Sequence, residues 1–132
     1  PILTGDARVT LYVSSDAPDT DFMVRLCDVD EAGRSVKLAD GILAARFRNG
    51  FSAPEYLEPG KVEKLVIRTS KISHCFLPGH RLRVSVTSGA KHFVFPNSNT
   101  KDAYNSTESR VAHNTVWHGG AAPSHILLHV ER

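Results

Sequence analysis

Ser52, the seven histidines and the aspartates of the segment 16–21 are the residues whose types permit chemistry, and their spacing decides what chemistry. A serine nucleophile of the α/β-hydrolase kind needs a Gly-x-Ser-x-Gly elbow, because only tiny residues allow the strained turn from strand into helix. The nearest match is Gly50-Phe51-Ser52-Ala53-Pro54, with proline where the second glycine should stand. No alternation of strand and helix surrounds it, so Ser52 reads as a loop serine. His118-Gly119-Gly120 resembles the start of an oxyanion-hole loop, but Gly-Gly between two strand-like runs is more simply a turn. His125 and His129 share a strand face yet stand roughly 13 Å apart at about 3.3 Å per residue, too far to ligate one ion together. Only a fold that brings His113 or His118 beside one of them rescues a metal site. Asp16, Asp19 and Asp21 miss the spacing of a calcium loop and lack its terminal bidentate Glu, so an acidic, solvated loop is expected there. Asn105-Ser106-Thr107 is a formal glycosylation sequon, meaningful only on a secretory route. These residues nominate neither a catalytic residue nor a cofactor or metal ligand.

The elements that position these residues are strands. Leu82, Val84 and Val86 alternate with Arg81, Arg83 and Ser85 after the turn Leu77-Pro78-Gly79, which gives a strand with one buried and one wet face. The same pattern recurs where Ile126, Leu128 and Val130 alternate with His125, Leu127 and His129, and where Ala7, Val9, Leu11 and Val13 alternate with Arg8, Thr10 and Tyr12. Phe22 to Val29 is apolar on both faces, as a central strand covered on both sides would be. Asp30-Glu31-Ala32-Gly33-Arg34 reads as a hairpin connection. Segments 35–38 and 42–47 are strand-like on either side of Asp40-Gly41, and a bulge or bend is expected at Gly41. The segment 49–60 is a crossing loop with one helical turn allowed at Pro54-Glu55-Tyr56-Leu57. Further strands are expected over 62–69, 111–117 and 124–130, with a long surface loop over 88–110 held by Phe93, Phe95 and Tyr104.

About eight short strands with no long helix and no internal repeat point to an all-β domain, a jelly-roll β-sandwich similar to galactose-binding domains. An immunoglobulin-like sandwich is the competitor, but Trp117 follows both cysteines and the Cys-Trp-Cys order is missing. At 132 residues the chain forms one domain, 1–132, around a single core. Sixteen Lys and Arg against 14 Asp and Glu are scattered, which argues against nucleic acid or an acidic membrane as partner. No apolar run approaches the roughly 18 residues that a membrane span requires. The first residue is not methionine, and Met23 lies inside an apparent strand, so a processed product or a piece cut from a longer protein is expected. Cys27 and Cys75 read as buried free thiols rather than a disulfide. The compartment stays open, with a cytoplasmic setting ahead of a secreted one, and Pro1-Ile2-Leu3-Thr4-Gly5-Asp6 lacks the build of a signal peptide.

A collinear set of segments adds a resemblance. It begins at Ser15-Asp16-Ala17-Pro18-Asp19-Thr20-Asp21-Phe22 and continues through Leu26-Cys27-Asp28-Val29, Asp40-Gly41-Ile42-Leu43, Arg46-Phe47-Arg48 and Leu57-Glu58-Pro59-Gly60. It resumes at Phe76-Leu77-Pro78-Gly79-His80-Arg81-Leu82-Arg83, Asn97-Ser98-Asn99-Thr100, Asn114-Thr115-Val116-Trp117-His118 and Pro123-Ser124-His125-Ile126. In this order the set resembles the C-terminal domain of the X-Pro dipeptidyl-peptidase and cocaine-esterase type (CocE/NonD) serine hydrolases over nearly the whole chain. One departure is Lys91-His92-Phe93-Val94-Phe95, where relatives often carry a Phe-Pro-Arg-Phe-Asp type segment.

The resemblance implies a jelly roll that follows an α/β-hydrolase domain and a helical cap, packs on the hydrolase domain and walls its active-site entrance. It implies that the triad lies in that preceding domain, and that the intact enzyme takes a small acyl ester or an X-Pro peptide. Asp40, Gly41 and Ile42 are expected near the hydrolase face, because a glycine break lets another backbone approach closely; the alternative is a bulge that only shapes the sheet. Arg46 and Arg48, expected on one strand face, would pair with carboxylates of the neighbouring domain or stay solvated. The competing functions are an independent carbohydrate-binding module and a dimerisation domain that forms a homodimer.

Overall fold

The computed structural model describes residues 2–50, 52–88, 99, 101 and 111–131. Its chain order is β1 (Ile2–Ser15), β2 (Asp21–Val29), β3 (Ser35–Ala44), a 3-10 turn (Ala45–Phe47), β4 (Glu63–Arg68), β5 (Ile72–Cys75), β6 (Arg81–Thr87), β7 (Asn114–Trp117) and β8 (His125–Glu131). Two antiparallel sheets result. In the larger, β1 is the spine. β4 and then β5 pair along one of its edges, while β7 and then β8 pair along the other. In the smaller, β2 lies between β3 and β6, and eight of its nine residues are buried, as its two-faced apolar composition predicts.

The core forms where the inner faces meet. Val9, Leu11 and Val13 of β1, Leu65 and Ile67 of β4, and Phe22 and Val24 of β2 make one cluster, closed by Ala45 and Leu57. Leu3, Ala7, Leu26, Ala39 and Ile72 make a second, with Ile126 packed against both. Alternation is thus converted directly into two packed layers of an all-β sandwich.

Several local expectations change. β3 runs unbroken through Gly41, and the register shift falls at Leu38, since Leu26 faces Ala39 while Cys27 faces Lys37. Segment 42–47 is not one strand, because the chain turns at Ala45–Phe47 and Arg46 and Arg48 share no strand face. No helical turn forms at Pro54 to Leu57; the Glu55 and Leu57 amides donate instead to Arg46 and Pro18 carbonyls, both at 2.8 Å. Both cysteines are free thiols, but Cys75 is exposed and ends β5. Val84 and Val130, on nominally inward faces, remain 37% and 52% exposed at the sandwich margins. Phe93, Phe95, Tyr104 and the sequon at Asn105 lie outside the described residues.

Candidate functional site

Ser52 is exposed in the loop after Gly50. His118 precedes a tight turn in which the Ala122 amide donates to the Gly119 carbonyl at 3.1 Å. Gly119 and Gly120 take φ values of +77° and +56°, which accounts for the glycine pair as turn chemistry. Among the described residues, no three His, Cys, Asp or Glu side chains converge in the manner of a metal site. The aspartates of the first loop are not a solvated patch. Asp19 and Asp21 are 0% and 1% exposed, and Asp16 accepts from the His113 backbone N–H and pairs with its ring, both at 2.8 Å.

At the end of β3, the expected contact residues separate by direction. Gly41 faces inward opposite Val24, where a Cβ would stand 2.4 Å from the Arg68 carbonyl oxygen. The backbone that approaches this glycine therefore belongs to β4 of the same domain. The neighbouring Ser70 amide donates to the Asp40 carbonyl at 3.0 Å, stitching the two sheets together. Asp40 and Ile42 face outward, flanking Arg25 and Met23 of β2; Asp40 pairs with Lys37 at 3.2 Å and Ile42 is 43% exposed. Arg46 points back into the domain. Its Nη1 and backbone N–H donate to separate oxygens of the buried Asp19 carboxylate, at 2.5 and 3.0 Å. Arg48 donates through Nη1 to the carbonyls of Ala45 and Glu55. Both arginines thus have partners within the chain and fix the path of the crossing loop.

Two assemblies escaped sequence reasoning. The first is a histidine–carboxylate–histidine cluster between the layers. Asp28 on β2 holds His74 Nε2 from β5 at 2.7 Å and His80 Nδ1 from the turn before β6 at 2.8 Å, on separate oxygens. Burial pushes the Asp28 carboxyl up, but the hydrogen bonds from His74 and His80 and the charges of both rings more than offset it and hold it below the ordinary 3.8. Their sequence separations, 46 and 52 residues, leave no local signal.

The second is the outer face of the larger sheet. Register places Lys64, Tyr12 and Trp117 in one row, Val66, Thr10 and His125 in the next, and Arg68, Arg8 and Leu127 in a third. Trp117 is fixed by donation from Nε1 to the Ser14 hydroxyl at 2.9 Å. The Ser124 hydroxyl accepts from the Tyr12 amide and donates to the Trp117 carbonyl, which ties β7 to β1. Val66, Trp117 and Leu127 are 40%, 45% and 52% exposed. The available sequence signal was Leu127, an apolar residue on the wet side of its strand.

Comparison with known proteins matches this architecture to others. Cocaine esterase of Rhodococcus sp. (strain MB1 Bresler) is 38% identical over 129 residues, which cover 96% of this chain and 22% of that protein. A putative serine esterase of Mycobacterium bovis is 32% identical over 110 residues, 70% of this chain and 18% of that one. Among solved structures, an aminopeptidase from a marine sediment Thaumarchaeota archaeon superposes with a TM-score of 0.93 at 27% identity, over 99% of this chain and 24% of its own. An α-amino acid ester hydrolase does so at 0.88 and 25%, over 96% and 23%. The chain thus spans about a quarter or less of the length of the relatives it matches. Residues 2–127 match the model of the X-Pro dipeptidyl-peptidase C-terminal non-catalytic domain, and the chain belongs to that family.

Proposed function

We propose that residues 1–132 serve as the accessory β-sandwich of a longer serine hydrolase of the cocaine-esterase type, docked against its α/β-hydrolase domain and walling the entrance to its active site. The observation that carries this is one of proportion, since 96% of this chain aligns with only 22% of an esterase. The internal geometry agrees. Ser52 is an exposed loop serine, and the carboxylate–histidine pairs of Asp28 and Asp16 lie on other parts of the sandwich. In the intact enzyme a serine of the hydrolase domain attacks the carbonyl of a small acyl ester or X-Pro peptide, a histidine moves the proton, and an oxyanion hole holds the developing charge. The sandwich contributes by shape and by holding its neighbour. Asp40 and Ile42 present one outward face to such a neighbour, on the smaller sheet, and the three-row lattice presents another on the opposite side.

The test is to express the longest natural polypeptide that carries these residues and treat it with a fluorophosphonate. A single labelled serine is expected outside residues 1–132. Hydrolysis of a p-nitrophenyl acyl ester or an X-Pro anilide is expected to be lost with that serine and to stay within twofold in Ser52→Ala. Label on Ser52, or an inert polypeptide that binds a defined saccharide, overturns the assignment and favours a catalytic or carbohydrate-binding domain.

A further inference from the structure

We infer that the outer face of the larger sheet, anchored by Tyr12 and Trp117 and flanked by Val66 and Leu127, is the surface on which the catalytic part of the same polypeptide docks; this rests on the accessory-domain reading above. The sandwich has two outer faces, on opposite sides, so one rigid neighbour covers one of them. On the smaller sheet the apolar side chains are already hidden. Met23, Cys27 and Val29 are 5%, 6% and 7% exposed, which leaves Ile42 as the exposed large apolar residue among that sheet's outward positions. On the larger sheet three large apolar side chains stay uncovered within nine register positions.

The two aromatic residues occupy adjacent strands, and their backbones are locked by the bridging Ser124 hydroxyl while the Ser14 hydroxyl fixes the indole. A held indole beside a tyrosine in register, with aliphatic neighbours, is the build of an interface anchor, because two-torsion aromatic side chains hide large area at little cost in side-chain entropy. The occupant is argued from proportion and charge. The relatives carry three-quarters or more of their length beyond the matched region, and a tethered neighbour is held at an effective concentration near millimolar. Arg8, Lys64 and Arg68 are exposed at these positions and none of the nine is a carboxylate. Self-association through this face would set cations against cations, so a second copy of this chain fits poorly and a surface with acidic groups around an apolar patch fits well.

The full-length polypeptide is cut between its domains by limited proteolysis and run on size exclusion. The wild-type fragments are expected to co-elute. The Val66→Lys/Leu127→Lys pair is expected to separate them, while Ile42→Lys leaves them together. If the lysine pair fails to fold, Val66→Thr/Leu127→Thr, which strands accept, is expected to weaken co-elution at least tenfold in fragment affinity. Separation by Ile42→Lys alone, co-elution in every variant, or a saccharide bound through Trp117 overturns the inference. Because the readout is association rather than turnover, a docking face placed wrongly is distinguishable from a wrong enzyme class.

Discussion

A missing methyl group decides more at Gly41 than most side chains do elsewhere. The Arg68 carbonyl oxygen would lie 2.4 Å, and the Ile67 methyl 3.0 Å, from any Cβ placed there. The obstructing atom is backbone, pinned by strand pairing on one side and by the Ser70 to Asp40 hydrogen bond on the other. Gly41→Ala must therefore push β3 and β4 apart, and a loss of about 1–3 kcal/mol is expected, by analogy with overpacked cores. Urea unfolding of the two forms checks it; equal midpoints would mean that this corner is soft. The sequence left two uses of this glycine open, a bulge that shapes the sheet and a close approach of another backbone. What approaches was illegible, since Arg68 is 27 residues away and its identity plays no part in the contact, which is made by its carbonyl.

Alternation revealed the strands because nearly every one has a core side and a wet side, and periodicity of two survives in a single sequence. It misled where an apolar alternation ran past the end of a strand. Ala45 and Phe47 continue the rhythm of Leu43, yet the chain has already entered a 3-10 turn, and what turns it is the Asp19 carboxylate gripping the Arg46 backbone and guanidinium from a distant loop. Arg46 and Asp19 are therefore a structural pair of the crossing loop, with side chains 13% and 0% exposed. Removing the cation leaves a fully buried carboxylate without its Arg46 ion pair. Arg46→Met is expected to cost about 3 kcal/mol, and Arg34→Met, which breaks the exposed Arg34–Asp30 pair, far less. Thermal unfolding of both variants checks the ranking, and equal losses would show that the buried pair contributes no more than a surface one.

Closing two sheets into one body requires contacts that no window of sequence displays, and the Asp28 cluster is a polar member of that set. Asp28 comes from the smaller sheet, His74 from the larger and His80 from the turn that leads back to the smaller, so one carboxylate fastens both layers beside the Leu3–Leu26–Ile72 cluster. The titration sign follows from its depressed acidity. A carboxyl more acidic folded than unfolded stabilises the fold above its ordinary 3.8 and loses that contribution as pH falls through its lower folded value. Acid is therefore expected to loosen the sandwich from this end. Asp30 is also held down, first by the Arg34 backbone N–H, so the wild-type acid slope contains more than one group. The difference between wild type and Asp28→Asn isolates the cluster: the variant is expected to be less stable at neutral pH and to lose less on going below pH 4. Unfolding midpoints between neutral pH and the acid limit, measured for both, decide the matter. Parallel curves would mean that His74 and His80 hold a protonated carboxyl as well as a charged one, and that the cluster adds nothing to the acid sensitivity of the fold.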